Sequence, residues 1–281
     1  MTSIKLYDKL SVECSKITTK MYSTSFSLGI LSLNKKFRKH IYNIYGFVRL
    51  ADEIVDTMHS HDKKYLLNKF KDDYKYALKN KISINPILNS FQITVNKFDI
   101  DIKLIEQFVK SMEMDLNESI KYDKEKYEYY ILGSAEVVGL MCLKVFVNGD
   151  QRTYIELKDY AKKLGSAFQK INFLRDMGSD FNKLGRTYFP EIDFEKFNDK
   201  FKKEIEKDIN LDFTESYEGI KKLPKHVRGG VLLAYTYYVK LFEKIKNQSA
   251  KKIQFNRVRV SNFRKLLLLI ECRIRNNFDY L

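Results

Sequence analysis

The sequence predicts an all-α protein, and three observations carry that reading. Only three prolines, Pro86, Pro190 and Pro224, interrupt 281 residues, and glycine is sparse at 11. Leu, Lys, Glu and Ile recur at three- and four-residue spacings over long stretches, the period of a helix with one buried face. No stretch alternates apolar and polar residues as a half-buried strand would, and no repeat of fixed period is present.

Helical periodicity places elements at residues 4–22, 35–57, 62–80, 101–119, 124–147, 151–179, 213–221, 226–247 and 258–278. The second carries IYNIYGFVRLADEIVD, the fifth the apolar run Val137 to Leu143, and the sixth LGSAFQKINFLRDMGSD. The last, VSNFRKLLLLIECRIRNNF, mixes Arg and Lys with Leu and Ile. Breaks fall where turn residues cluster, at Asn80 to Pro86, Gly178 to Pro190 and Leu223 to Gly230. None of these has the composition of an interdomain linker, so residues 1–281 are expected to form one domain, although their number alone would also permit two.

The net charge of +15 calls for an anionic partner: nucleic acid, an acidic membrane surface or a phosphorylated substrate. Basic residues are spread along the chain and mixed with Asp and Glu, without zinc-finger spacing, an RNA-recognition aromatic motif or an Arg-rich arm, so nucleic acid is not expected. Cys14, Cys142 and Cys272 are isolated, which excludes a Cys-x-x-Cys zinc site and a disulfide framework and fits a reducing cytoplasm. The first residues, MTSIKLYDKLSVECSK, hold no apolar signal region. The longest apolar runs, Val137 to Leu143 and Leu266 to Ile270, fall short of the ~20 residues that span a bilayer. The expectation is a soluble cytoplasmic protein, with peripheral contact to the inner face of the membrane allowed by the basic, apolar segment at 258–278. An amphipathic core helix is the alternative reading of that segment.

Two Asp-x-x-x-Asp pairs carry the chemistry: Asp52 and Asp56 in RLADEIVD, and Asp176 and Asp180 in QKINFLRDMGSD. On a helical wheel Tyr45, Arg49, Asp52 and Asp56 fall in one narrow arc, while Ile44, Phe47, Val48, Leu50, Ala51, Ile54 and Val55 surround it. Gly165, Gln169, Asn172, Asp176 and Asp180 likewise line one face, with Arg175 beside it. Carboxylates in apolar surroundings cost several kcal/mol each unless cations compensate. Two such stripes facing each other offer the hard oxygen ligands that Mg²⁺ takes together with substrate phosphates.

The bland alternatives are a solvated acidic face for DEIVD and a structural amide network for Gln169 and Asn172. Asp208 and Asp212 have the same four-residue spacing, but their mixed neighbours place them in a surface loop or at a helix end. His59, His61 and Asp62 are read as the solvated end of the first motif helix rather than a metal site. Metal-assisted departure of an allylic diphosphate needs a dry cavity for the carbocation. Phe26, Tyr42, Tyr45, Phe47, Tyr129, Tyr130 and Phe173 include candidates for stabilising it, though most belong to ordinary core packing.

At these residues the chain resembles the squalene/phytoene synthase family. LGSAFQKINFLRDMGSDFNKLGRTYFP (Leu164 to Pro190, with Arg186 and Tyr188) is similar to one family signature. YILGSAEVVGLMCLKV (Tyr130 to Val145) is similar to the other, departing from it at Ile131 and Glu136. YSTSF at Tyr22 to Phe26 and IYGFVRLADEIVD at Ile44 to Asp56 extend the resemblance to nearly the whole chain.

The resemblance implies an isoprenoid-synthase helical bundle around a central cavity. It implies Mg²⁺, or Mn²⁺, held by Asp52, Asp56, Asn172, Asp176 and Asp180. It implies diphosphate contacts from Ser23, Ser25, Arg49, Gln169, Asn172, Arg175, Tyr238 and Arg257, and catalytic roles for Tyr45 and Tyr130. The implied reaction joins two prenyl diphosphates head to head. Among family members the likeness is greatest to bacterial enzymes that turn two geranylgeranyl diphosphates into phytoene without NADPH; enzymes that use two farnesyl diphosphates are the rival. A non-catalytic relative acting in assembly or at membranes is the reading from another class.

Overall fold

The computed structural model describes residues 3–117, 122–184, 187–190 and 194–278; Arg186 lies outside them. Among the described residues the regular structure is entirely helical. The helices are α1 (Ser3–Tyr22), α2 (Thr24–Leu31), α3 (Lys35–Asp56), α4 (Lys63–Asn80), α5 (Pro86–Phe98), α6 (Ile102–Met114), α7 (Lys124–Ile131), α8 (Val137–Phe146), α9 (Gln151–Leu184), α10 (Asp199–Lys222), α11 (Lys225–Lys246), α12 (Ala250–Phe255) and α13 (Asn262–Phe278). A five-residue π-helical turn, Leu132–Glu136, joins α7 to α8.

Caps explain most of the starts. Asp62, Asn85, Asp101, Asp123, Asn198 and Ser249 each turn a side-chain oxygen back on the first free amides of the helix that follows. Pro86 occupies the first turn of α5, where a missing N–H costs nothing.

Periodicity missed α2, which is only eight residues long, and α5, whose buried positions include Asn89, Ser90, Gln92 and Thr94 and so do not read as apolar. It also stopped α9 five residues early and recognised only the last part of α10.

The core is organised on Phe47 of α3, which is fully buried. Its ring stacks on Phe91 of α5 at 3.8 Å and meets Phe70 and Tyr74 of α4 and Phe108 of α6 at 5.1, 5.8 and 5.7 Å. Burying one such ring stabilises the fold by about 2–3 kcal/mol.

The run from Lys124 to Phe146 is long and apolar enough to cross a membrane, yet it packs between α3, α6 and α9, with half of its most apolar window buried. Alone, it would pass for a membrane span; in the fold it is the central helix. Around it, α3 and α9 are tied together through α8 on one side and through α2 and α11 on the other. The two acidic motifs therefore belong to walls of the bundle that other helices bridge.

Candidate functional site

Arg49 is the centre of the first wall. Its guanidinium pairs with Asp52 and, one turn on, with Glu53, while the Tyr22 ring lies against it at 4.2 Å. Burial works against its charge, but Asp52 and Glu53 hold Arg49 above its ordinary pKa. Arg49 Nε is buried and has no partner of its own. Burial and then the neighbouring Asp56 raise Asp52 to about 7, with Arg49 only partly offsetting them. A buried carboxylate that a neighbouring carboxylate raises further is short of positive charge, which fits a cation site.

Tyr45 joins this wall to the next. Burial raises it to about 12; Arg49, Asp52, the Ser23 side chain and Tyr238 all act on its hydroxyl. Ser23 caps α2 by accepting from the Phe26 amide at 3.2 Å, Ser25 follows in the first turn, and the Phe26 ring sits 5.5 Å from that of Tyr45.

On the second wall, the Tyr238 hydroxyl of α11 donates to Asn172 Oδ1 at 3.2 Å, and Asn172 Nδ2 reaches Gln169 Oε1 at 3.4 Å. Arg175 Nε donates to Asp176 Oδ1 at 3.0 Å, and Arg257 contacts the same carboxylate, with Nε 2.7 Å from Oδ1. Burial opposes the Arg175 charge, yet Asp176 holds its pKa above the usual value. Lys265 of α13 lies over the Tyr237 ring at 5.4 Å; burial lowers its pKa first, and Arg175 and Arg259 add to the shift. Positive charge is thus concentrated around one carboxylate, as an anion-binding wall requires.

Arg257 reaches Asp176 because α12 lies tightly on α9. At Gly178 a Cβ would overlap the Gln254 carbonyl oxygen, so only glycine admits that approach. Ser179 caps the geometry by donating to the Asp176 carbonyl at 2.8 Å, and its hydroxyl is 3.4 Å from Asp180 Oδ1.

The third component is the π turn. Just before it, the Tyr130 hydroxyl donates to Asp115 Oδ2 at 2.8 Å, and Asp115 in turn adds its negative charge to those that raise Asp52. Tyr130 is buried among Tyr122, Phe173 and Tyr188, and that burial pushes its hydroxyl well above the usual pKa.

The sequence residues Tyr45, Arg49, Asp52, Ser23, Asn172, Arg175, Asp176, Tyr238 and Arg257 are therefore linked by direct contacts or by charge. Among the described residues no three His, Cys, Asp or Glu side chains form a ready-made metal cluster. His59 and His61 are exposed, and Asp62 caps α4, in keeping with the solvated-end reading.

Asp208 and Asp212 are a correction. They lie inside α10, and Asp212 is buried, accepting from Ser166 Oγ and Lys170 Nζ at 2.7 Å each. The mixed neighbours that suggested a loop are the two faces of a helix packed along α9.

Sequence reasoning missed Asp115, Tyr22, Glu53 and Lys265. The Arg49/Glu53 spacing of four was a readable ion-pair signal; Lys265 gave none, since only the packing of α13 on α11 brings it near Arg175. Glu136 closes the π turn; burial raises it, and its charged neighbours are Lys162, Asp212, Lys170 and Lys163 on the α9–α10 side.

Comparison with known proteins identifies the family and the fold. Residues 19–264 match the profile of squalene/phytoene synthase. A 4,4'-diapophytoene synthase of Staphylococcus haemolyticus is 29% identical over 195 residues, 67% of this chain and 65% of that protein. Phytoene synthase 1, chloroplastic, of Solanum lycopersicum is 26% identical over 286 residues, 94% of this chain and 66% of that protein. The chain thus spans just under two thirds of the length of these curated relatives. The crystal structure of a dehydrosqualene synthase in complex with ligand superposes with a TM-score of 0.79 at 23% identity, covering 96% of this chain and 97% of that one. The match extends over the acidic motif of α3, the π turn and the acidic motif of α9, and the chain belongs to the squalene/phytoene synthase family.

Proposed function

We propose that this protein is a head-to-head prenyl synthase that condenses two geranylgeranyl diphosphates to phytoene. The carrying observation is that two walls, one with Asp52, Asp56 and Arg49 and the other with Asp176, Asp180, Arg175 and Arg257, come near enough for Tyr238 of the second to act on the hydroxyl of Tyr45 of the first. The relatives with long alignments are phytoene synthases, which supports the C20 substrate.

In this reading Asp52 and Asp56 with Asp176, Asp180 and Asn172 would hold Mg²⁺, which neutralises diphosphate charge and makes it a better leaving group. Arg49, Ser23, Ser25 and Tyr45 bind one diphosphate, and Arg175, Gln169, Asn172, Tyr238 and Arg257 the other. The C1–O bond of one substrate breaks, and the allylic cation adds to the double bond of the other. A proton is lost, and a cyclopropylcarbinyl diphosphate results. Loss of its diphosphate, rearrangement and loss of a second proton give the hydrocarbon and two diphosphates in all. Every step is redox-neutral, so no NADPH is needed. Cys14, Cys142 and Cys272 are in no disulfide, which fits catalysis in a reducing cytoplasm.

Farnesyl diphosphate is the second reading, favoured by the 29% identity to a 4,4'-diapophytoene synthase. Purified protein with Mg²⁺ and either substrate, with and without NADPH, separates them by the mass of the extracted hydrocarbon. A C40 product without NADPH supports phytoene synthesis; a C30 product moves the chain to the farnesyl-using group, and no product from either removes the catalytic reading.

A further inference from the structure

α1 is built inside out. Its inward face is polar: Ser11, Ser15 and Thr19 are fully buried. Ser15 and Ser90 hydroxyls pair at 2.7 Å, Asn89 Nδ2 donates to Ser11 Oγ at 3.2 Å and to Asp8 Oδ1 at 3.1 Å, and Tyr7 donates to the Ser83 carbonyl at 2.7 Å. Small hydroxyls allow α1 to lie close on α3 and α5, where Ser15 fits beneath Gly46.

The outward face is apolar instead. Leu6, Leu10, Ile17 and Met21 are each more than half exposed, Met21 at 78%, and their spacings of four, seven and four put them on one stripe. A second stripe repeats that spacing one residue earlier: Lys5, Lys9, Lys16 and Lys20. Lys16 is paired with Glu13, whereas Lys5, Lys9 and Lys20 are exposed.

α13 has the same construction. Leu268 and Cys272 face inward, while Phe263, Leu266, Leu267 and Ile270 are exposed, Phe263 at 72%, and Arg264 is exposed beside them. α2 packs on both α1 and α13, and its Phe26 and Leu31 are exposed as well. Tyr22 and Phe26, at this junction, touch Arg49 and Tyr45.

We propose that α1, α2 and α13 form the face by which the protein lies on an anionic lipid bilayer, with the apolar rows in the headgroup–acyl boundary and the lysines on the lipid phosphates. The parallel basic stripe selects this occupant: an anionic surface complements Lys5, Lys9 and Lys20, whereas a second copy of the chain would present the same unpaired lysines. The junction at Tyr22 and Phe26 would then set the mouth of the site against the membrane, where a prenyl chain resides.

The test is flotation of the full chain with phosphatidylcholine vesicles and with vesicles containing phosphatidylglycerol, at low and high salt, alongside sedimentation velocity. Binding is expected to the anionic vesicles and to fall with salt. The pairs Leu10→Ser/Ile17→Ser and Leu266→Ser/Ile270→Ser should each weaken binding about tenfold or more, and Lys5→Gln/Lys9→Gln should weaken it on anionic vesicles only. All are exposed, and unchanged helicity confirms folding. No binding to anionic vesicles, or binding that the substitutions leave unchanged, overturns the proposal. A monomer–dimer equilibrium that the apolar pairs disrupt, with flotation untouched, overturns it in favour of a chain–chain interface. These readouts do not depend on turnover, so they stand apart from the catalytic reading.

Discussion

Tyr130 and Asp115 hold each other across the entrance to the π turn, hydroxyl to carboxylate at 2.8 Å. That single bond connects α7 to the end of α6 and places a third negative charge within reach of Asp52. Tyr130→Phe deletes the donor from a buried carboxylate, which should cost about 1–3 kcal/mol of stability. Turnover should drop at least about tenfold, a typical loss for one positioned group. Chemical denaturation and steady-state kinetics on the same preparation check both; turnover at the wild-type rate would reduce Tyr130 to packing.

Asp52→Asn and Asp176→Asn should each cut Mg²⁺-dependent diphosphate release by roughly two orders of magnitude or more, with circular dichroism unchanged. Release is measured directly with a coupled diphosphate assay. Loss of helicity in either variant would return the Asp pairs to a structural role.

Gly178→Ala should be far more harmful than an ordinary helix glycine-to-alanine change, which gains helix propensity by up to about 1 kcal/mol. The added methyl meets the Gln254 carbonyl oxygen, so α12 must move and take Arg257 away from Asp176. The expected signature is a lower melting temperature together with a raised KM. A variant more stable than the parent and equally active would contradict the close approach.

His40 sets an acid limit on stability. It is buried, with Lys97 Nζ 3.3 Å from Nε2 and Thr94 Oγ1 3.0 Å from Nδ1. Because an ammonium only donates, Nε2 accepts and the ring is neutral, its proton on Nδ1. Burial, then Lys97 and Lys39, lowers its pKa to about 3 from an ordinary 6.5. Between those values the unfolded chain binds the proton and the folded chain does not. Stability therefore falls as pH drops below 6.5, by on the order of 1 kcal/mol per unit. Urea midpoints from pH 7 to 5 should decline in the parent and decline less in His40→Gln.

Much of the site was legible because its chemistry sits on one helix face at a time: Tyr45, Arg49, Asp52 and Asp56, then Gln169, Asn172, Asp176 and Asp180. What escaped depends on pairing between elements. Asp115 looks ordinary until Tyr130 is folded onto it, and Lys265 until α13 reaches α11. The fold was legible where apolar periodicity is strong, as in α3 and α11. It was not where buried faces are polar: α5 turns Asn89 and Ser90 inward to meet the hydroxyls of α1, and Thr94 inward to His40 and Asn43 of α3. Asp212 escaped for the reverse reason, a charge kept inside by Lys170.

The π turn at Leu132–Glu136 also says something about the length of the chain. A π-helical turn accommodates one residue more than an α-helical turn over the same rise, so Tyr130 and Val137 are one position out of register with an unbroken helix. Deleting any one of the five residues would let α7 and α8 fuse into a smooth rod. Because the extra residue is absorbed within one turn, such a deletion would leave Tyr130 and α8 in about their present angular relation, whereas a deletion elsewhere in α7 or α8 would turn one face against the other by roughly 100°. The bulge is thus a local slack of one residue: the half of the helix that packs the core and the half that faces Asp115 keep a common phase across it, so the loss of one residue is absorbed at Leu132–Glu136 as it would not be in the regular helix on either side.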